Sequence, residues 1–561
     1  MKTKWTFLAA CVVVLILILS GCSKGGENAG TDSANTGGNS ANAGGEDGAA
    51  LSEPVTISVF AQQGTDTDLA TSNFTKLLEQ KFNINFKWTT VPFDGAAEKR
   101  QISLASGDYP DLYLLIPWVD RFSQTDLLKF GQQGVIVPLN DLIDQYAPNI
   151  KETLETNEYY KAMNTAPDGK IYGLTGLNEC FHCSYPNKMW INTKWLKQLG
   201  LEEPKTTEEF KNVLKAFKTG DPNGNGKADE VPLSGSTEPY GVHVIPYLMN
   251  GFIYDDDRTY LVMKDGKVDM AANKPEWKEG LAYIKSLYDE GLIDPGAFTQ
   301  NAEAYKKIGD NADAQLLGAG AGMHPAIFVN TAADSPYGKD YNPIAPLQGP
   351  YASYATFNYP IDPGATFVLT NRASKEAQIA AIKMLDYLYT EEGTLQGIFG
   401  EENIGWRKPK EGEIALNEQA TPLYYEIPVK TGETPRNLWG PMAQYNQHKD
   451  FRDAAVQGKD IYAGDGYERR LQEATYLYEG KEPAEVLPHW ALWLDPTRAD
   501  EASMMQTNIK DYIDQNALQF VTGAKSLDKD WDAYVKGLDA LNLKGYLEIM
   551  QQAYDSSTIS K

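Results

Sequence analysis

The sequence predicts an α/β protein with doubly wound sheets and two lobes. Strand and helix patterns alternate in its first folded stretch, and residues 51–561 follow a low-complexity beginning. The composition, with 42% hydrophobic and 23% charged residues, is that of a globular chain. The length of the folded part exceeds one small domain and suits two lobes.

The first folded stretch consists of alternating strand and helix patterns. The five segments are a strand at Val55 to Ala61, a helix at 66–82, a strand at 84–92, a helix at 96–105 and a strand at 111–116. This order predicts a parallel sheet, and such sheets bind ligands beyond the carboxyl ends of their strands. Gln62, after the first strand, and Trp118, after the third, are therefore cleft candidates.

The later elements are a strand that leads into a helix ending at Gly200, and three amphipathic helices. The first of these helices has Thr207 in its N-cap region and acidic residues in its first turn. The three helices cover residues 204–221, 278–295 and 375–393.

The N-terminus has the pattern of a bacterial lipoprotein signal. An apolar run over residues 7–19, too short for a membrane span, ends in LSGC, where small residues precede Cys22. We expect a signal peptide over residues 1–21, a lipid on Cys22 and a flexible linker up to residue 50. This places the protein on the extracellular face of the cell membrane; an ordinary secretory signal with a chance cysteine is the alternative.

Charge and aromatic content narrow the choice of ligand. The formal net charge of −25 argues against nucleic acid and against a broad anionic membrane patch. The chain has 32 tyrosines and 11 tryptophans, and aromatic faces stack on the CH faces of sugars, so composition favours a carbohydrate. For any single aromatic residue, packing in the core or at its rim is the competing interpretation.

Two of the four cysteines, Cys180 and Cys183, lie in the folded part. Such a pair closes as a disulfide, stays as free thiols or serves a metal or redox site. A redox role needs a helix directly after the first cysteine, and the flanking sequence shows none. Zinc needs two further ligands, and His182 alone lies nearby. We expect a disulfide.

The segment DPNGNGKADEVP, residues 221–232, has the spacing of a calcium loop. Counting from Asp221, side-chain oxygens fall at positions one, three, five and nine, with Gly226 at six. Pro232 stands at position twelve, where an EF-hand has a glutamate, but Glu230 at position ten can complete the shell. Because no helix can start in EVPLS, we expect a structural site; a plain Asn-Gly turn is the alternative.

Seven stretches resemble the family 1 extracellular solute-binding proteins of ABC importers, in particular the LplA-type and alginate-oligosaccharide-binding subgroup. They are LASGDYPDL, GVIVPLNDLIDQYAPNIK, DGKIYGL, MWINTKWLKQLGL, PKTTEEFKNVLKAFKTGDPNGNGKADEVPL, LYDEGLIDPGAFTQ and WDAYVKGLDALNLKGYLEIMQQAYD. The resemblance implies a two-lobe, periplasmic-binding-protein-like (type II) fold with a hinge and an interlobe cleft for an oligosaccharide. It also implies a structural calcium ion held by Asp221, Asn223, Asn225, the carbonyl of Lys227, Asp229 and Glu230.

The expected domain limits follow from this fold. The first lobe covers residues 51–175 and 361–430, and the second covers residues 176–360, with the calcium loop 221–230, and 431–561. The resemblance further implies a monomer that passes its sugar to the membrane permease subunits of an ABC transporter.

An oligosaccharide site combines aromatic platforms with planar polar groups. Trp406, Arg407 and Trp439 lie in loops flanked by Gly and Pro, where an aromatic residue belongs to the core less often. The candidates are Gln62, Trp118, Tyr240, Trp406, Arg407, Trp439 and Trp490. We expect binding without catalysis. A polysaccharide-active enzyme with a carboxylate pair and a sugar-sensing subunit of a signalling system are the alternatives.

Overall fold

The computed structural model describes residues 53–238, 240–429, 436–557 and 559. The predicted signal peptide, Cys22 and the linker lie outside these residues. The strands are β1 Val55–Gln62, β2 Ile84–Val91, β3 Leu112–Leu114, β4 Met189–Asn192, β5 Val231–Ser234, β6 Leu261–Lys264, β7 Lys267–Met270, β8 Leu317–Ala321, β9 Tyr341–Ile344, β10 Phe367–Leu369, β11 Trp406–Arg407 and β12 Tyr425–Glu426.

Helices connect these strands. The α-helices are α1 Asn73–Phe82, α2 Ala96–Ser106, α3 Gln124–Gln132, α4 Asn140–Tyr146, α5 Pro148–Thr156, α6 Glu158–Asn164, α7 Phe181–Ser184, α8 Thr193–Leu199, α9 Thr207–Thr219, α10 Val244–Met249, α11 Pro275–Asp289, α12 Ala302–Gly309, α13 Lys375–Leu388, α14 Glu391–Phe399, α15 Lys449–Asp453, α16 Tyr467–Tyr476, α17 Ala499–Val521, α18 Trp531–Ala540 and α19 Leu543–Ser556. Short 3-10 helices cover Ala271–Asn273, Pro295–Phe298, Pro325–Ile327, Gly440–Ala443, Gly464–Gly466 and His489–Ala491. None of the described helices is both long and apolar enough to span a bilayer.

The first sheet has the strand order β10-β3-β1-β2. Val59 of β1 pairs in parallel with Trp88 of β2 on one side and with Leu112 of β3 on the other, as the alternating pattern predicted. The fourth strand, β10, runs antiparallel to β3 and comes from much later in the chain, so the sheet is mixed. The carboxyl ends of β1, β2 and β3 therefore share one edge.

The second sheet has the order β5-β8-β4-β9. β5 and β8 are parallel, whereas β4 runs antiparallel to both β8 and β9. Helix α9 packs beside β5 and begins with a capping box, in which Thr206 and Glu209 exchange hydrogen bonds with each other's backbone N–H groups. The N-cap is therefore Thr206, one residue before the predicted position at Thr207.

Each sheet has its own hydrophobic core, and residues 51–561 pack as one compact unit. The larger core surrounds the second sheet and includes Trp195 and Phe217, and the next surrounds the first sheet. Trp439 and Tyr445 pack in the core of the first sheet, although the sequence analysis assigned residues 431–561 to the second lobe.

Three stretches of chain, residues 177–187, 353–361 and 444–449, connect the two sheets. Backbone hydrogen bonds join them side by side. The N–H of Asn358 donates to the carbonyl of Ser184 (2.8 Å), and the N–H of Glu179 donates to the carbonyl of Gln447 (2.9 Å). We call these three stretches the connecting segments.

Candidate functional site

Two exposed aromatic rings lie at the carboxyl edge of the first sheet. Trp118, in the turn after β3, is 53% exposed, and Phe93, after β2, is 44% exposed. A methyl group added at Gly64, after β1, would lie 3.5 Å from the Phe93 ring, so this ring also borders the end of β1. Each ring is an exposed apolar surface at the edge where α/β sheets bind ligands. The rule that selected Trp118 also applies to Phe93, which the sequence analysis did not name.

Gln62 is buried, and the structure corrects its assignment as a ligand contact. Its Oε1 accepts a hydrogen bond from the N–H of Ile116 (2.6 Å), and its Nε2 donates to the carbonyl of Asp120 (3.5 Å). The Asp120 carboxylate in turn accepts two hydrogen bonds from Arg100, at 2.7 and 3.0 Å. Gln62 faces inward because the buried turn after β3 needs polar partners. It holds the turn that carries Trp118.

Tyr240 lies at the corresponding edge of the second sheet and is 55% exposed. Its φ angle of 81° is left-handed, a conformation that costs a residue with a Cβ roughly 1–3 kcal/mol. Its carbonyl accepts the N–H of Met323, beyond the end of β8, at 2.9 Å. Asn187 Nδ2 donates to the carbonyls of Gly241 (2.9 Å) and His243 (3.0 Å), which fixes the Tyr240 loop to a connecting segment.

Trp439, Trp406 and Arg407 were also predicted to contact the sugar, and the structure corrects these three assignments. Each side chain is bonded to another group of the protein. Trp439 is buried, and its Nε1 donates to the hydroxyl of Thr75 at 2.8 Å. Trp406 is buried, with its Nε1 bonded to a backbone carbonyl. Arg407 donates two hydrogen bonds to the carboxylate of Glu413, at 2.8 and 2.6 Å. Trp406 and Arg407 lie in the short strand β11 and Trp439 directly precedes a 3-10 helix, so the Gly and Pro content around them did not indicate exposed loops.

Trp490 is also buried, and it packs among the connecting segments. Its ring stacks on Tyr359, with centroids 5.8 Å apart and planes 21° apart. It meets Phe357 edge-on at 5.9 Å. Trp490 is therefore a packing residue between the two lobes, which corrects its assignment as a sugar platform.

A charged cluster joins a connecting segment to helix α16. Nδ1 of His182 lies 2.9 Å from Oε1 of Glu468, and Nη2 of Arg452 donates to the same oxygen at 3.1 Å. Burial opposes ionisation of Glu468, but His182 and Arg452 together lower its pKa to about 2. His182 and Glu468 are 286 residues apart in the chain, so no local motif could have indicated the pair.

Cys180 and Cys183 are joined in a disulfide. The expectation of no helix after Cys180 is wrong, because the one-turn helix α7 starts at Phe181; four residues are too few for propensity to indicate a helix. Among the His, Cys, Asp and Glu side chains of the described residues, Cys180, His182 and Cys183 form the group whose ligand atoms lie close enough to share a metal ion. Metal ions bind thiolates, and the sulfurs here are bonded to each other.

The predicted metal loop joins α9 to β5 and folds around its own oxygen atoms. Asp221 accepts the N–H of Asn225 at 3.1 Å and the N–H of Gly226 at 3.1 and 3.3 Å. Gly226 has a φ angle of 72°, the left-handed turn expected at position six. The side-chain amides of Asn223 and Asn225 donate to Asp229 at 2.9–3.1 Å. These bonds, with Asn223 first, lower the pKa of Asp229.

Glu230 has a carboxylate oxygen without a hydrogen-bond partner in this loop. Its Oε1 is buried and makes no hydrogen bond with any described residue. Burial, followed by the charges of Asp221 and Asp229, raises the pKa of Glu230. The loop precedes β5 at Val231, whereas the Tyr240 loop follows the end of β5. The metal loop therefore lies at the opposite end of the strand from the exposed ring.

This fold, with two sheets, connecting segments and aromatic edges, defines a binding protein of the bacterial extracellular solute-binding family. The chain belongs to that family, whose model matches residues 64–395. The predicted resemblance is thereby confirmed.

Individual relatives agree with this membership. The fructooligosaccharide ABC transporter substrate-binding protein FusA of Streptococcus pneumoniae serotype 4 is 32% identical over 502 residues, which cover 86% of this chain and 87% of FusA. A solved structure of an S. pneumoniae FusA EF-hand mutant in complex with fructo-nystose has a TM-score of 0.68 and 26% identity, over 90% of this chain and all of that one. The alginate-binding protein AlgQ2, solved without calcium ion, shares the fold with a TM-score of 0.62 and 21% identity, over 90% of this chain and 99% of AlgQ2.

Proposed function

We propose that this protein captures an oligosaccharide outside the cell and delivers it to the permease of an ABC importer, without catalysing a reaction. The exposed rings at the two sheet edges carry the proposal: Trp118 and Phe93 on the first, Tyr240 on the second. Sugars present CH faces to such rings and hydroxyls to polar groups beside them. Glu468 and Arg452, paired with each other at the connecting segments, are planar charged groups of the kind that bind hydroxyls.

Closure of the two lobes about the connecting segments is the expected response to the sugar. The permease then recognises the closed form. A fructooligosaccharide is the first ligand to test, because FusA, named for such a sugar, shares 32% identity with this chain.

Calorimetric titration of the full chain with fructo-nystose, and with an alginate oligosaccharide for comparison, tests the proposal. We expect saturable binding and unchanged sugar afterwards. Trp118→Ala should weaken binding by roughly 2 kcal/mol, because a bound sugar would bury this ring and make it an aromatic anchor. Tyr351→Ala is the matched control, since Tyr351 is 55% exposed but bonds to Glu279 of α11. Release of smaller sugars, or equal affinity of wild type and Trp118→Ala, would contradict the proposal.

The lipid anchor on Cys22 and the oligomeric state are also part of the proposal. A lipid on Cys22 holds the chain at the extracellular face of the membrane, and the LSGC pattern supports this anchor. The anchored chain works as a monomer. Cys22→Ser should move the protein from the membrane fraction to the medium, which immunoblotting of both fractions measures. Retention of this variant at the membrane would contradict lipidation at Cys22.

We infer that the loop over residues 221–230 holds a structural calcium ion. The unpartnered, buried oxygen of Glu230 and the all-oxygen donor set fit this hard cation. The ligands are Asp221, Asn223, Asn225, the carbonyl of Lys227, Asp229 and Glu230. The ion would neutralise the clustered carboxylates and fasten α9 to β5. Calcium chelation should lower the melting temperature and leave the stoichiometry of sugar binding unchanged; an unchanged melting temperature would contradict a structural ion.

A further inference from the structure

A cavity of about 490 Å³ lies between residues that belong to the first sheet and residues that belong to the second. One wall comes from the stretch 120–125, which follows β3 and starts two residues after Trp118. The opposite wall comes from the loop before β6 and from helices α17 and α19, and its residues are Thr259, Gln506, Tyr546 and Met550. Tyr546 and Met550 pack in the core of the second sheet. We call this space the Tyr546 cavity; its volume is within the range of pockets for small ligands.

The segment 487–494 forms a third wall and touches both cores. His489 and Leu492 of this segment line the cavity. Leu492 packs in the core of the second sheet, whereas Trp490, between them, packs in the core of the first. The lining therefore belongs to both lobes, and a ligand in the Tyr546 cavity would contact both lobes at once.

Arg121 fixes the first wall to the turn that carries Trp118. Its Nη1 donates to the carbonyl of Pro117 at 2.7 Å, directly before Trp118. Its Nε donates at 2.8 Å to the carbonyl of Pro363, which also lines the cavity. The Tyr546 cavity therefore adjoins the sheet edge at Trp118.

The charged side chains in the described lining, Asp120 and Arg121, already have partners. The carboxylate of Asp120 accepts two hydrogen bonds from Arg100, at 2.7 and 3.0 Å. Nη2 of Arg121 lies 3.5 Å from Oδ1 of Asp362. Because both charges are paired inside the protein, the lining favours an uncharged ligand.

Four further polar side chains of the lining have no hydrogen-bond partner among the described residues: Thr125, His489, Gln506 and Tyr546. Tyr546 is only 2% exposed, yet its hydroxyl is not among the polar atoms that are sealed from solvent. Nearly buried polar groups are usually satisfied. A hydroxyl that is nearly buried, unpartnered and still accessible therefore indicates a partner that enters the cavity.

These four groups suit the hydroxyls of a sugar. The hydroxyls of Tyr546 and Thr125 and the amide of Gln506 can each donate and accept, as sugar hydroxyls do. Burial lowers the pKa of His489, which favours the neutral ring at neutral pH, with one nitrogen that donates and one that accepts. Met550 adds an apolar contact for the CH groups of a sugar ring.

We propose that the Tyr546 cavity holds one unit of the captured oligosaccharide, with the Tyr546 hydroxyl and the Gln506 amide as contacts that determine specificity. This inference rests on the function proposed above and adds a subsite to the aromatic edges. Because both lobes contribute to the subsite, its occupation favours the closed arrangement of the lobes.

Calorimetric titration of the full chain with fructo-nystose tests the subsite. Tyr546→Phe removes only a hydroxyl and Gln506→Ala removes an exposed amide, so each should raise the Kd about fivefold, as for the loss of one hydrogen bond between uncharged groups. Neither group has a described partner within the protein, so the melting temperature without sugar should stay at the wild-type value. Tyr554→Phe is the matched control, since Tyr554 lies on the same helix α19 but does not line the cavity.

The outcomes separate this inference from the proposed function. Wild-type affinity of both Tyr546→Phe and Gln506→Ala, with weaker binding by Trp118→Ala, would overturn the subsite and leave the proposed function in place. An equal loss of affinity in Tyr554→Phe and Tyr546→Phe would also overturn the subsite, as would a crystal structure with bound fructo-nystose that shows only water within hydrogen-bond distance of the Tyr546 hydroxyl.

The choice of sugar gives a further test. Binding of the alginate oligosaccharide alone would overturn the subsite but not the proposed function, because each unit of that sugar carries a carboxylate and the lining favours an uncharged ligand. If the wild type bound neither sugar, the proposed function and the subsite would both be rejected.

Discussion

Lys188, at the end of a connecting segment, gives this protein a pH-dependent stability that can be worked out from the structure. Its side chain is fully buried, and its Nζ donates to the carbonyls of His182 (2.9 Å) and Tyr185 (2.5 Å). Burial lowers its pKa from 10.5 to about 7, although the charge of Glu468 opposes that change. The folded chain therefore releases this proton at lower pH than the unfolded chain does.

The sign and size of the effect follow from linkage. Between pH 7 and 10.5 Lys188 binds more protons in the unfolded chain than in the folded chain, so its contribution to the free energy of unfolding rises with pH. The slope approaches 1.36 kcal/mol per pH unit for one proton, which gives about 2.5 kcal/mol between pH 7.5 and 9.5. Buried tyrosines have the opposite effect, because their pKa values are raised, and unfolded tyrosine already ionises in part at pH 9.5. Each contributes roughly 0.2 kcal/mol of lost stability by that pH, so together they offset the Lys188 effect in the wild type, and the Lys188 effect is measured as a difference between wild type and variant.

Urea unfolding at pH 7.5, 8.5 and 9.5, followed by circular dichroism, measures this slope. Lys188→Met keeps the length of the side chain and removes its charge, so between pH 7.5 and 9.5 the variant should lose about 2.5 kcal/mol relative to the wild type, while the buried tyrosines affect both proteins equally. Lys544→Met is the control, because the side chain of Lys544 is 89% exposed and should leave the wild-type slope intact. If Lys188→Met retained the wild-type slope, the reasoning about Lys188 would be refuted.

Three other predictions concern the metal loop, the charged cluster and a corrected sugar candidate. Glu230→Gln should lower the melting temperature in calcium and abolish the further decrease caused by a chelator; a persisting chelator effect would contradict its role. Glu468, with a folded pKa of about 2, stabilises the protein above its unfolded pKa of 4.5, and this contribution disappears as pH falls from 4.5 to 2. Because Glu468 is 30% exposed, we expect the free energy of unfolding to fall by about 1–2 kcal/mol as the pH falls through this range. The decrease should be smaller in Arg452→Met. If that variant lost as much stability in acid as the wild type, the pairing of Arg452 with Glu468 would not be responsible. Trp439→Ala should cost roughly 3–5 kcal/mol in urea unfolding and leave sugar affinity in the folded fraction unchanged; a selective loss of affinity would restore Trp439 as a sugar contact.

The parallel arrangement of β1, β2 and β3 could be predicted from the sequence, and with it the sheet edge at which α/β proteins bind ligands. Trp118 was selected as a candidate in this way, and the structure shows it exposed; the same rule covers Phe93. The direction of a side chain at that edge could not be predicted, because it depends on which backbone groups of the neighbouring turn still need a hydrogen-bond partner. Gln62 turns inward to satisfy the N–H of Ile116, and no periodicity in the sequence encodes that requirement.

Long-range contacts were beyond prediction for a similar reason. Trp439 fits against Thr75 from 364 residues away, and loop composition carries no information about such a partner. The loop over residues 221–230 is the contrary case, because its hydrogen bonds lie within ten residues and the spacing alone specifies the turn at Gly226. Local turn geometry was therefore predictable, and contacts assembled by tertiary packing were not.

The ionisation of Glu468 bears on the choice between binding and hydrolysis. A glycosidase needs one carboxylic acid whose pKa is raised, so that it can protonate the leaving oxygen. Glu468, at the connecting segments, has the opposite property, because His182 and Arg452 lower its pKa to about 2. A carboxylate that stays ionised accepts hydrogen bonds from sugar hydroxyls and does not supply a proton. Glu468 is therefore suited to accept hydrogen bonds, and the charges of His182 and Arg452 that keep it ionised prevent it from acting as a general acid.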